Sequence, residues 1–201
     1  MDDPPTIPIL LLGDPDCGKS TFLSKLSHGT NSTRHTTHPL PLLRDLDQPF
    51  IWHIRLYNRH YTFEFSDTSS PENYTLLSPS FIILCYDISS RPSLENLQHV
   101  WFKQMVECYM REREDIPVLV LGLKRDLRGV GGGIGDGDGG GGLILPQEGV
   151  RVAQELRADR YAECSALTGE LMDEVIEDVA RTACKTATEK GGKTEGGCGV
   201  M

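Results

Sequence analysis

Gly13-Asp14-Pro15-Asp16-Cys17-Gly18-Lys19-Ser20 reads G-x-x-x-x-G-K-S. This is the spacing of a glycine loop that wraps phosphate in backbone N–H groups. The flanks agree with the pattern. Ile7-Pro8-Ile9-Leu10-Leu11-Leu12 is an apolar run of the kind that forms a buried strand, and Thr21-Phe22-Leu23-Ser24-Lys25-Leu26 can open a helix. A strand, a tight turn and a helix N-terminus converge several N–H donors and a helix dipole on one point, which favours an anion. Gly13, Asp16, Cys17, Gly18, Lys19, Ser20 and Thr21 are the candidate phosphate-binding residues. Lys19 reaches toward the β- and γ-phosphates, and the Ser20 hydroxyl is a candidate Mg²⁺ ligand.

The rest of the chain bounds what such a loop can serve. Its 201 residues allow one domain with a sizeable core and a tail. Lys and Arg number 20 against 29 Asp and Glu, a net charge of −9, which disfavours nucleic acid as a partner. The six cysteines form no C-x-x-C pair and no metal-site spacing. Met1-Asp2-Asp3-Pro4-Pro5 is unlike a secretory leader, so an intracellular setting with reduced thiols is expected.

Beyond the first helix, residues 27–48 are polar and proline-punctuated, a long loop of the functional kind. Phe50–Tyr57 and Tyr61–Ser66 form a hairpin pattern around Asn58-Arg59-His60. His53 and His60 read as strand and turn residues, since no third ligand stands at a metal spacing. Phe81–Asp87 is a central strand. Ser93 is the expected N-cap of a helix to about Arg111, with Leu94, Leu97, Trp101 and Met105 as its core stripe. Ile116–Gly122 is another buried strand, ending at Leu123-Lys124-Arg125-Asp126. Residues 129–142 are glycine-rich; Asp136 and Asp138 are too few for a calcium loop, so a flexible insertion is expected. Pro146 opens a helix, Tyr161–Ala166 reads as a strand and loop, and a last helix carries Leu171, Val175, Val179 and Ala183. This order predicts an α/β P-loop NTPase fold, a mostly parallel six-stranded sheet with helices on both faces. The P-loop, Asp67, Leu123–Asp126 and Ser165 then share the carboxyl rim of the sheet, where such folds bind ligands.

With these motifs on one rim, residues 7–184 and the last four resemble a small GTPase of the Ras superfamily, Rho type. Asp67-Thr68-Ser69-Ser70-Pro71 stands for the family's D-T-A-G-Q, Leu123-Lys124-Arg125-Asp126 for [NT]-K-x-D, and Cys164-Ser165-Ala166-Leu167 for the second base motif. Ser93-Leu94-Glu95-Asn96 and the run Gly122–Arg128 carry the Rho character. The resemblance implies a switch that binds GTP and GDP with Mg²⁺, and partners that are effectors, exchange factors and GTPase-activating proteins. It implies guanine contacts at Lys124, Asp126, Ser165 and the Ala166 amide, and metal contacts at Ser20, Asp67 and a switch threonine. Thr36 and Thr37 both stand near that place; Thr37 is the favoured one. Asp126 can accept from guanine N1–H and N2–H₂ together, a pair that adenine lacks. An ATP-using P-loop enzyme is the less favoured reading.

The departures fall in the hydrolytic machinery. Pro71 replaces the glutamine that orients water, and Pro15 replaces a glycine near the γ-phosphate. No catalytic residue is assigned, and weak intrinsic turnover is expected; a hydrolysis-deficient interaction protein on the same fold is the alternative. Leu123 replaces a polar residue that braces the P-loop. The end, Cys198-Gly199-Val200-Met201, has C-a-a-X form, so prenylation of Cys198 is expected, with farnesyl favoured by the terminal Met. The chain therefore reads as a G domain, residues 1–184, with the 129–142 insertion, and a flexible 185–201 tail. Cys184 is either a second acylation site or a buried helix residue. The expected location is the cytoplasmic face of a membrane, the plasma membrane first, with a cytosolic pool.

Overall fold

The computed structural model describes residues 4–27, 49–56, 58–67, 75–111, 115–130 and 142–191. Six strands form one sheet: β1 (Thr6–Gly13), β2 (Phe50–Leu56), β3 (Arg59–Asp67), β4 (Phe81–Asp87), β5 (Val118–Leu123) and β6 (Arg160–Glu163). Their order is β2-β3-β1-β4-β5-β6, with β2 antiparallel to β3 and every other pairing parallel. The helices are α1 (Lys19–Ser27), α2 (Arg91–Asn96), α3 (Phe102–Met105), α4 (Leu127–Val130), α5 (Pro146–Glu155) and α6 (Met172–Gly191).

Parallel central strands must be covered on both faces, which is why β5 is apolar, β4 is apolar up to Tyr86 and Asp87 at its end, and both are wholly buried. One face packs on α1 and α6 through Phe22, Leu23, Leu26, Val175, Val179 and Ala183. The other packs on the helix from Arg91 and on α5 through Leu94, Leu97, Trp101, Met105 and Val152. β2 alternates instead: Phe50, Trp52, Ile54 and Leu56 turn to the core while Ile51, His53 and Arg55 face out.

Five local expectations change. The cap of α2 is Ser90, whose hydroxyl accepts from Ser93 N–H. Ser93 lies inside the helix, and its Oγ accepts from Asp87 N–H at 3.1 Å. Leu171 precedes α6 in a left-handed conformation (φ +57°) and so is off the helical stripe. β3 begins at Arg59 rather than Tyr61, with Asn58 at φ +64° in the turn. Finally, the helix from Arg91 is not uniformly α: Leu97–Trp101 and Val106–Met110 are π turns on either side of α3. Helix α6 also continues past Lys185 to Gly191.

Candidate functional site

Because β1, β3, β4, β5 and β6 are parallel, their carboxyl ends Gly13, Asp67, Asp87, Leu123 and Glu163 meet along one rim. The P-loop leaves β1 there. Asp16 is left-handed (φ +60°) and Gly18 stands at φ +114°, which only glycine adopts without strain. The first hydrogen bond of α1 runs from Phe22 N–H to Gly18 O at 2.9 Å. The amides of residues 18–21 precede it, so they have no intrahelical acceptor and face whatever the loop encloses.

Lys19 is 5% exposed. Its ammonium donates to the carbonyls of Gly13 (3.0 Å) and Asp14 (2.9 Å) and stands 3.9 Å from Asp67 Oδ1. Burying a charge demands such partners, and they hold the cation at the mouth of the loop. Ser20 Oγ donates to Asp67 Oδ2 at 2.5 Å. Two hard oxygen donors from different elements thus converge next to Lys19. That donor set suits Mg²⁺, which takes one or two protein oxygens and completes its shell with water and substrate phosphate. Among the described residues no group of three or more His, Cys, Asp or Glu could hold a metal by itself. Thr37, the other expected metal ligand, and Pro71 lie outside the described residues.

The other half of the rim holds a cavity of about 200 Å³ lined by Gly18, Thr21, Lys124, Asp126, Leu127, Ala166 and Leu167. Lys124 takes φ +63°, and its ammonium donates to Asp87 Oδ2 at 2.7 Å, which lays the side chain across the cavity wall. Asp87, 8% exposed, accepts Ser89 N–H and Oγ on its other oxygen, each at 2.7 Å. Ser165 Oγ donates to Asp126 Oδ1 at 2.5 Å and accepts from Thr168 N–H at 3.1 Å. Asp126 Oδ2 takes no hydrogen bond from a described residue. Arg125 N–H donates to Cys164 O at 3.1 Å, tying the two base loops together. Leu123 is 1% exposed, and a Cβ built on Gly18 would lie 3.6 Å from it. The residue that lost the family's polar brace therefore packs the P-loop by apolar contact.

Beneath these loops sits a network that sequence reading missed. Glu163, 7% exposed, receives Arg128 on both oxygens and the Tyr161 hydroxyl, with Arg125 at 3.7 Å. Tyr86 and Tyr161 share a hydroxyl contact of 2.9 Å. Burial pushes the Tyr86 phenol up to about 12. Asp14 was equally hidden: its oxygens accept Asn96 Nδ2 (2.9 Å) and Trp101 Nε1 (2.7 Å). The only signal for Asp87 and Glu163 was a carboxylate closing an apolar strand. Burial raises the thiol of Cys17 against the lowering effect of Lys19, and raises that of Cys164 to about 12, which disfavours the thiolate at both. Cys184 is 4% exposed against the same core. A larger cavity, about 620 Å³, lies by the hairpin against Pro5, His53, Arg59 and His60 and contains none of the rim motifs.

The geometry agrees with comparisons to known proteins. The Ras family model matches residues 8–185. GTP-binding protein RHO3 of Eremothecium gossypii is 31% identical over 92% of this chain and 86% of its own length. GTP-binding protein rho1 of Schizosaccharomyces pombe is 28% identical over 87% of this chain and 85% of its own. GTP-binding protein RHO1 of Saccharomyces cerevisiae is 26% identical over 93% and 88%. A family model that matches most of the chain and Rho-named relatives aligned over nearly its whole length agree with the motifs on this rim: the chain belongs to the Ras family, as a small GTPase of Rho type.

Proposed function

We propose that this chain is a guanine-nucleotide switch that binds GTP and GDP with Mg²⁺ and turns GTP over slowly on its own. The observation that carries this reading is the base cavity: Asp126, fixed by Ser165, faces it beside the stem of Lys124. A carboxylate there accepts from guanine N1–H and N2–H₂, and adenine offers no such pair. Lys19 and the amides of residues 18–21 hold phosphate. Ser20 and Asp67, with Thr37, would hold Mg²⁺, which would supply positive charge to offset that of the β- and γ-phosphates.

Slow turnover follows from Pro71 and Pro15. Proline has no carboxamide to orient water and no N–H to offer the γ-phosphate. The same prolines favour one second reading, a hydrolysis-deficient protein that signals by nucleotide-dependent contact alone. Nucleotide released from the purified protein, identified by HPLC, tests guanine binding. A single-turnover assay with Mg²⁺ then separates the two readings. Turnover at the rate of ordinary family members would refute both, and Pro71→Gln is expected to raise a slow rate by roughly tenfold or more.

Effectors, exchange factors and GTPase-activating proteins are the expected partners, recognised through residues 30–48 and 67–78 in a way that depends on the γ-phosphate. Cys198 carries a prenyl group in this reading, giving reversible attachment to the cytoplasmic face of a membrane. Among the described residues no helix is long and apolar enough to cross one. Cys198→Ser with unchanged membrane fractionation would contradict the anchor.

A further inference from the structure

Asn96 and Trp101 are five residues apart. On an ideal α-helix, residues five apart point about 140° away from each other. Here both reach Asp14 of the P-loop, Asn96 Nδ2 to Oδ2 at 2.9 Å and Trp101 Nε1 to Oδ1 at 2.7 Å. The turn between them is π: Leu97–Trp101, closed by Phe102 N–H to Leu97 O. A π turn adds a residue to the circuit, so the fifth residue on returns near the starting face. Trp101 is also a core residue, 7% exposed, so its indole is anchored by packing on the sheet and its N–H is aimed.

We propose that this π turn makes Asn96 and Trp101 a clamp that positions the P-loop, holding the Asp14 carboxylate away from Lys19. Lys19 bonds the Asp14 carbonyl at 2.9 Å, yet its one carboxylate neighbour among the described residues is Asp67. The Asp14 carboxylate belongs to the same residue as that carbonyl. Two neutral donors occupy both of its oxygens and turn it to the helix. Released, it would compete for the ammonium that a phosphate needs, and would set a negative charge beside an anionic ligand. Asn96 and Trp101 are thus positioning residues: they act through Asp14 on Lys19 and touch no phosphate.

The clamp rests on the nucleotide reading for its purpose, but not for its existence. The test uses the full chain, a fluorescent GDP analogue and the indole N–H resonances of Trp52 and Trp101 in a ¹⁵N spectrum. Asp14→Ala should shift the Trp101 indole resonance and leave that of Trp52 in place. Trp101→Phe keeps an aromatic ring, smaller than the indole, and removes the N–H; release of the analogue should quicken about tenfold, since the lost bond is to a charged acceptor. In the Asp14→Ala background the same Trp101→Phe change should alter release less than twofold, because the carboxylate it restrained is gone. Equal acceleration in both backgrounds would show a purely structural role and overturn the proposal. So would an Asp14→Ala chain with an unmoved Trp101 resonance. If Trp101→Phe does not fold, Asn96→Ala, a partly exposed site, carries the same cycle and the same criteria. A chain that takes up no guanine nucleotide removes the proposed purpose and overturns the clamp's role along with the nucleotide reading, whereas the indole shift still reports the bond.

Discussion

Asp126→Asn separates folding from recognition. The wild-type carboxylate accepts Ser165 Oγ on Oδ1 at 2.5 Å, and Asp126 lines the cavity proposed to take the base. Asparagine keeps one acceptor oxygen, so the Ser165 bond and the tie between the base loops survive. What changes is the face offered to the base: an NH₂ donor now meets guanine donors. Hydrogen bonds to charged groups contribute about 1.5–3 kcal/mol each, so losing two gives about 3–6 kcal/mol, or roughly 10²- to 10⁴-fold in affinity. Equilibrium titration with fluorescent GDP and GDP-competition with GTP, ATP and the xanthosine nucleotide would measure it. Xanthine carries a carbonyl where guanine has its amino group, so the variant should prefer the xanthosine nucleotide over GDP. Thermal unfolding without nucleotide should move by about 1 kcal/mol or less, since no buried partner is orphaned. A loss of affinity below fivefold, or no gain for xanthosine, would refute the assignment of Asp126 as the base reader.

The remaining predictions concern the support beneath the site. Gly149→Ala in α5 would usually stabilise a helix by about 1 kcal/mol. Here a Cβ would lie 2.6 Å from Tyr161 Cε2 and meet the hydroxyls of both Tyr86 and Tyr161, so a loss of about 1–3 kcal/mol is expected by denaturant melt. Glu163→Gln leaves Arg128 and Arg125 without their shared carboxylate; these guanidiniums are 18% and 31% exposed, so solvent screening holds the loss to about 2–3 kcal/mol. It should also speed nucleotide release, because Arg125 and Cys164 belong to the base loops. Stability should fall on the alkaline side. Burial raises Cys164 from 9.0 to about 12 and Tyr86 from 10.0 to about 12 in the fold. Raised folded values mean the contribution is whole below the unfolded pKa and is lost as pH climbs toward 12. Each group gives a slope of about 1.4 kcal/mol per pH unit across its window, and Cys164→Ala should remove its share of the slope between pH 9 and 12.

Membership of the fold and the placing of the candidate residues on one rim could be read from local pattern. Apolar runs of strand length, a glycine loop and carboxylates at strand ends are local features, and the parallel order placed Gly13–Ser20, Asp67, Lys124–Asp126 and Ser165 on one rim, where the structure has them. Some local readings failed through near-equivalent choices. Ser90 and Ser93 are both competent caps, and the deciding factor was the bond from Asp87 N–H that drew Ser93 into the helix. Leu171 fits the stripe of α6 by spacing, but the chain turns left-handed there before the helix begins.

What the chain alone determined is which residue types stand on the rim, because the glycine loop, Lys124–Asp126 and Ser165 are marked by short, countable spacings. Tertiary structure decided the supports. Asp14 meets Asn96 and Trp101 across more than 80 residues, Lys124 meets Asp87 across 37, and Arg128 meets Glu163 across 35. Nothing local marks those pairs. The π turn is the clearest case: the 94-97-101-105 stripe predicted an α-helix core face, and it took the packed sheet and the P-loop carboxylate to show that Trp101 serves both. The physical reason is that helical period reports burial, while a hydrogen bond between distant segments depends on where the whole fold brings them.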